Sequence, residues 1–196
     1  MLLGKWSRQS VRRIIVSALL VLGLWQLGQG AYIPVKAWVA QGLMQRAWSK
    51  ADNGVRQPPP WPWADTWPVA RLTAKGGDVE LIVLSGGSGR TLAFGPGHLS
   101  ISALPGEIGN SVIAGHRDTH FQFLQHVKVG EVIDLEMPDG RGHRYRVSSI
   151  DVVDARRGSL VLDIDTPVLS LVTCYPFSAL GTEGSMRYVV SAEMLY

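Results

Sequence analysis

The spacing of apolar positions changes four times along this chain, and each change predicts a different element. Residues 14–35 form an unbroken uncharged run, densest at IIVSALLVLGLW. At about 1.5 Å per helical residue its 22 positions reach about 33 Å, enough for a hydrocarbon core of about 30 Å. Residues 36–50, KAWVAQGLMQRAWSK, switch to helical spacing, with Val39, Leu43, Met44 and Ala47 on one stripe and Trp38 and Trp48 beside it. Residues 57–63, QPPPWPW, carry prolines that exclude regular helix and central strand, and predict a stiff extended spacer. From Pro68 onward short β-rich runs recur between glycine and proline clusters: VELIVL (79–84), SVIAG (111–115), EVIDLEM (131–137), RYRVSSIDVVD (144–154), VLSLVTC (168–174) and RYVVSAEML (187–195). This spacing predicts an all-β sandwich or barrel over residues 68–196, with HFQFLQHV (120–127) as a short helix or turn.

Charge refines the picture. Residues 1–68 hold eight Lys/Arg against Asp52 and Asp65, whereas residues 69–196 hold eleven against fourteen acids. The basicity therefore belongs to the N-terminal part, and no basic footprint for nucleic acid falls on the predicted domain. Residues 1–13, with Lys5, Arg8, Arg12 and Arg13 and no acid, form a basic segment ahead of the uncharged run. The expectation is a cytoplasmic segment 1–13, a transmembrane anchor 14–35, a juxtamembrane helix and proline-rich linker 36–67, and a catalytic domain 68–196. A cleaved signal peptide ending near Gly28–Gly30 is the competing reading. Either one places the domain outside the cytoplasm.

Candidate chemistry sits at three strand ends. His116 follows SVIAG, Cys174 closes VLSLVT, and Arg187 opens the last run. Cys174 is the chain's one cysteine, so no internal disulfide exists; it is a buried apolar residue, a metal ligand or a nucleophile. As a nucleophile it needs a neighbouring cation to favour thiolate and a proton carrier for the leaving amine. An arginine, always charged, stabilises an oxyanion. Zinc held by His116, His120 and Cys174 is a weaker alternative, because no second cysteine or HExxH accompanies them.

The local sequences resemble the sortase family. Leu171-Val172-Thr173-Cys174, preceded by Ser170 where the family has Thr, is similar to its TLxTC motif; AGHRD resembles its catalytic-histidine motif, and Arg187 matches its essential arginine. FGPGHLSISALPGEIGNSVIAGHR also resembles the family's run into that histidine, and the whole is most similar to class D-like sortases and those of Gram-negative bacteria. The resemblance implies a closed eight-stranded β-barrel with short helices, the site at one rim. It implies a cysteine transpeptidase without cofactor: Cys174 as nucleophile, His116 as proton-transfer partner, Arg187 as transition-state stabiliser. Thr173 is expected to support the oxyanion or substrate, or only to pack its strand. Asp118 is expected to orient His116, or only to be solvated. His120 is an alternative acid/base that matches no family motif. The implied partners are a protein bearing a C-terminal LPxTG-like sorting signal, an amine acceptor from the cell envelope or another protein, and the membrane. L,D-transpeptidases are excluded because Val172 stands where their SHGC signature has His, and a papain-like order would put Cys before His. The non-enzyme alternative is a tethered β-barrel binding module with an inert cysteine.

Overall fold

The computed structural model describes residues 39–158, 160–178 and 184–196, with isolated positions 9, 12, 13, 16, 17, 19, 20 and 26. The expected anchor over residues 14–35 and the basic segment before it lie almost wholly outside the described residues. Among the described residues, no helix is long and apolar enough to cross a membrane. The chain divides into Met1–Gln41 and Gly42–Tyr196, and the second unit holds the barrel.

Eight strands close the barrel: β1 (Pro68–Ala74), β2 (Val79–Ser85), β3 (Gly97–His98), β4 (Gly109–Ala114), β5 (Val132–Glu136), β6 (Gly142–Asp154), β7 (Pro167–Cys174) and β8 (Met186–Leu195). Around the ring they run β1-β2-β3-β4-β7-β8-β6-β5, and β5 pairs with β1 to close it. The six runs expected from the sequence are all strands, shifted by one or two residues at their ends. The β2–β3 and β4–β7 pairs are parallel, and the other pairs are antiparallel.

Period-two alternation builds the core. Leu72, Val83, Ile113, Leu135, Tyr145, Leu169, Leu171 and Val190 are buried in one cluster inside the ring. Phe121, Leu124 and Val127 join that cluster from the segment after β4, which contains a 3-10 helix at Gln122–His126.

A second cluster explains why VELIVL is apolar on both faces. Ile82 and Leu84 belong to a separate group with Met44 and Trp48, against which Phe94 packs. Met44 and Trp48 come from α1 (residues 39–52), so β2 is covered on its outer face by a helix. A strand buried on both faces reads as a continuous hydrophobic run. The stripe expected on this helix is rotated: Trp48 is fully buried, while Leu43 is only half-buried. The Arg71 guanidinium lies 4.9 Å from the Trp48 ring centroid and donates to Glu136 at 3.2 Å. The proline-rich segment also lies on the barrel. Trp61 meets Phe94 edge-on at 4.7 Å, and the Thr66 hydroxyl donates to the Ser85 carbonyl at 2.7 Å. A short helix α2 (Gly89–Leu92) precedes Phe94 and is capped by the Ser88 hydroxyl, which accepts from Thr91 N.

Candidate active site

The β4–β7 ladder brings His116 to Cys174. Every pair in it has the same offset, from Gly109 with Pro167 to Ala114 with Val172. That offset is 172 − 114 = 58, which is also 174 − 116. Gly115 N donates to the Val172 carbonyl at 3.0 Å and carries the register one residue past β4. His116 is the next residue after Gly115, so the same offset sets it opposite Cys174 at the end of the ladder.

Arg187 comes from the other side. It is the direct antiparallel partner of Cys174 in the β7–β8 ladder. Directly opposed residues hold their Cβ atoms about 4.5–5.5 Å apart on one face. Leu169 and Leu171 on β7 and Val190 and Ala192 on β8 point into the core, so Cys174 and Arg187, of opposite parity, face outward together. Cys174 is a free, half-buried thiol. The Arg187 guanidinium donates to the carbonyls of Gly184 at 2.8 Å and Met186 at 2.9 Å, at the end of the loop before β8. Three residues far apart in sequence thus meet at one rim.

The remaining expected residues take different places. Thr173 faces inward, is 2% exposed, and spends its hydroxyl on the Gly115 carbonyl at 2.7 Å. A strand residue adjacent to Cys174 points to the opposite face, and Thr173 ties the β4 end to the β7 end. Asp118 pairs with its neighbour in the chain. Its carboxylate, 64% exposed, accepts from Arg117 Nε at 3.1 Å. His120 is half-buried; burial first, then the nearby His116, push its pKa below the usual 6.5. The zinc reading of His116, His120 and Cys174 finds no geometric counterpart: among the described residues, no group of three or more His, Cys, Asp or Glu is placed to hold a metal ion.

The sequence reading overlooked three features. Arg117 is 5% exposed, and its guanidinium donates to the Pro176 carbonyl at 2.9 Å. Tyr175, Phe177 and Tyr188 form an aromatic group next to Cys174, with Tyr175 stacked on Tyr188 at 6.1 Å and Phe177 edge-on to Tyr188 at 5.1 Å. Burial and the neighbouring Tyr175 push the Tyr188 pKa up. Gly115 is required by contact: a Cβ there would meet the Phe121 ring at 2.8 Å. The glycine ahead of His116 in AGHRD was the available signal for that contact.

A family model described as the sortase domain matches residues 72–195. The chain belongs to the sortase family. It is similar to sortase D of Bacillus subtilis (strain 168), with 32% identity over 114 residues, 58% of this chain and 57% of that protein. The chain thus matches somewhat more than half the length of this relative. Among solved structures, sortase A of Corynebacterium diphtheriae, as a lid mutant, is 26% identical with a TM-score of 0.60, covering 81% of this chain and 94% of that one. A sortase D5 transpeptidase of Clostridium perfringens also gives a TM-score of 0.60 at 22% identity, over 78% of this chain and 89% of that one, and supports the fold. The closed barrel with few helices is the fold of the sortase family.

Proposed function

We propose that this sortase-family chain is a membrane-anchored cysteine transpeptidase. The observation that carries the reading is the convergence of Cys174, its cross-strand partner Arg187, and His116 delivered by the 58-residue register of the β4–β7 ladder. The Cys174 thiolate attacks the carbonyl carbon of the Thr–Gly bond in an LPxTG-like sorting signal. Arg187, the cross-strand partner of Cys174, stabilises the oxyanion of the tetrahedral intermediate. His116 gives a proton to the departing glycine amine, which leaves a thioester on Cys174. An amine acceptor from the cell envelope or another protein then attacks the thioester, and His116 takes the proton back. The Cys174 thiolate is released, the acyl group leaves in a new amide bond, and the starting protonation of the pair is restored. The anchor at residues 14–35 holds the domain on the extracytoplasmic side, supported by the spanning length of that run and the basic residues ahead of it.

Two measurements test this reading. Wild-type chain is incubated with a Leu-Pro-Glu-Thr-Gly peptide and with a library of variant motifs, and the acyl-enzyme is sought by intact mass. A thioester on Cys174, absent from Cys174→Ala, is expected. Cleavage by Cys174→Ala within about tenfold of wild type would refute covalent catalysis, because loss of a nucleophile costs several orders of magnitude. Intact mass of membrane-purified protein tests the anchor, and a mass matching cleavage near Gly30 would exclude it.

A further inference from the structure

We propose that Arg117 is the positioning residue that holds His116 against Cys174, by bridging the chain after β4 to the chain after β7. The inference rests on the reading of His116 and Cys174 as the reacting pair.

A guanidinium is rarely buried without partners, and removing it from water is costly unless its donors are satisfied. Arg117 is 5% exposed, and two of its bonds differ in reach. Nε donates to Asp118, the adjacent residue, at 3.1 Å. NH1 donates to the Pro176 carbonyl at 2.9 Å, 59 residues away and two beyond the nucleophile.

The backbone shows why such a bridge matters. The β4–β7 pairing ends with Gly115 N on the Val172 carbonyl, reinforced by the Thr173 hydroxyl on the Gly115 carbonyl. Past that point β7 turns to its other neighbour, and Tyr175 N donates to the Met186 carbonyl on β8 at 3.1 Å. Beyond the ladder, the Arg117 bond ties the segment after β4 to the segment after β7. His116 and Cys174 lie between two ties: Thr173–Gly115 on the strand side and Arg117–Pro176 on the loop side. His116 is half-exposed while Arg117 next to it is buried, so Arg117 acts through His116 and not on the substrate.

The test separates positioning from packing. Full-length wild type, Arg117→Met, Arg117→Gln and His116→Ala are compared, along with the double variant His116→Ala/Arg117→Met. The readouts are thermal unfolding, turnover of a fluorogenic Leu-Pro-Glu-Thr-Gly peptide, and the rate of Cys174 alkylation by iodoacetamide. The partners left behind, the Asp118 carboxylate and the Pro176 carbonyl, belong to exposed residues that water can serve, so a purely packing role leaves Arg117→Met folded and active. Positioning leaves it folded but lowers kcat by about 10²-fold, the scale for a group displaced by about 1 Å, with KM little changed. Arg117→Gln, which keeps one amide donor for the Pro176 carbonyl, recovers part of that loss. Wild-type activity in Arg117→Met, or the order Met above Gln, overturns the proposal. If Arg117→Met does not fold, the Gln variant decides: kcat equal to wild type overturns the proposal, and a fall at unchanged KM supports it.

A wild-type chain that leaves the peptide uncut counts against the transpeptidase reading, and the inference is then judged from alkylation alone. Arg117→Met must change the alkylation rate by the same factor as His116→Ala, with no further change in the double variant. Factors that multiply, or no change with Arg117→Met, overturn it.

Discussion

Thr173→Val isolates the lock beneath the site. The hydroxyl is buried and donates to the buried Gly115 carbonyl at 2.7 Å, and valine replaces it with a methyl of similar size. Packing is kept, but the carbonyl loses its partner away from water. An unsatisfied buried acceptor costs about 1–3 kcal/mol. At about 2–4 °C of Tm per kcal/mol for a chain of this size, the middle of that range lowers Tm by about 6 °C. The freed carbonyl belongs to the residue before His116, so turnover falls as well. Thr173→Ser keeps the hydroxyl and removes a methyl. It costs about 1 kcal/mol of apolar burial but leaves His116 in place. Thermal unfolding followed by circular dichroism, with peptide turnover, gives both quantities. Thr173→Val within about 0.5 kcal/mol of wild type would show that the bond contributes nothing beyond an ordinary surface change. Equal loss of turnover in the Ser and Val variants would show that the hydroxyl does not place His116.

Other substitutions probe separate parts of the molecule. Gly115→Ala drives a methyl toward the Phe121 ring, 2.8 Å away, and is expected to cost about 1–3 kcal/mol in denaturant titration. Adding Phe121→Leu should recover part of that loss, and no recovery would discount the ring contact. Trp48→Ala removes the centre of the α1–β2 cluster and should cost about 3–5 kcal/mol, or about 10 °C in Tm. A shift under about 2 °C would mean that α1 is dispensable to the barrel. The third test concerns pH. Burial pushes the pKa of His98 below 6.5, while its bond to the Ala103 carbonyl and the Glu107 charge oppose the shift. Below 6.5 the unfolded chain binds a proton that folded His98 refuses, so stability is full above that pH and falls as pH drops toward the folded pKa. The urea midpoint of wild type should therefore drop from pH 7.5 to 5 more steeply than that of His98→Gln. His120, shifted the same way, contributes part of the slope that remains. Parallel profiles would refute the assignment to His98.

How far the sequence could be read depended on whether the decisive contact leaves a periodic trace. β2, β4, β5, β6, β7 and β8 were legible because an interior wall forces alternation and the turns between them carry glycine and proline. β3 is two residues, Gly97 and His98, too short for any period to register. β1 was passed over because Arg71 and Thr73 break the apolar pattern; Arg71 is held there by Glu136 and by the Trp48 face, contacts that come from distant segments. The same distinction governs the site. Cys174, His116 and Arg187 sit in short strings similar to family motifs; Thr173 and Arg117 share those strings, but their bonds go to backbone carbonyls, and a carbonyl has no residue identity to read.

The register gives the 58-residue spacing a physical meaning that the string alone lacks. Because the His116–Cys174 separation equals the offset of the β4–β7 ladder, loops elsewhere between them tolerate length changes only if β7 keeps its pairing with β4. A one-residue slip of that ladder would move Thr173 out of the core and turn Cys174 inward, since a slip of one exchanges the two faces of a strand. The hydrophobic pattern of Leu169 and Leu171, buried inside the ring, opposes that slip. The core of β7 thus sets which way Cys174 points, and the packing that closes the barrel also aims the thiol.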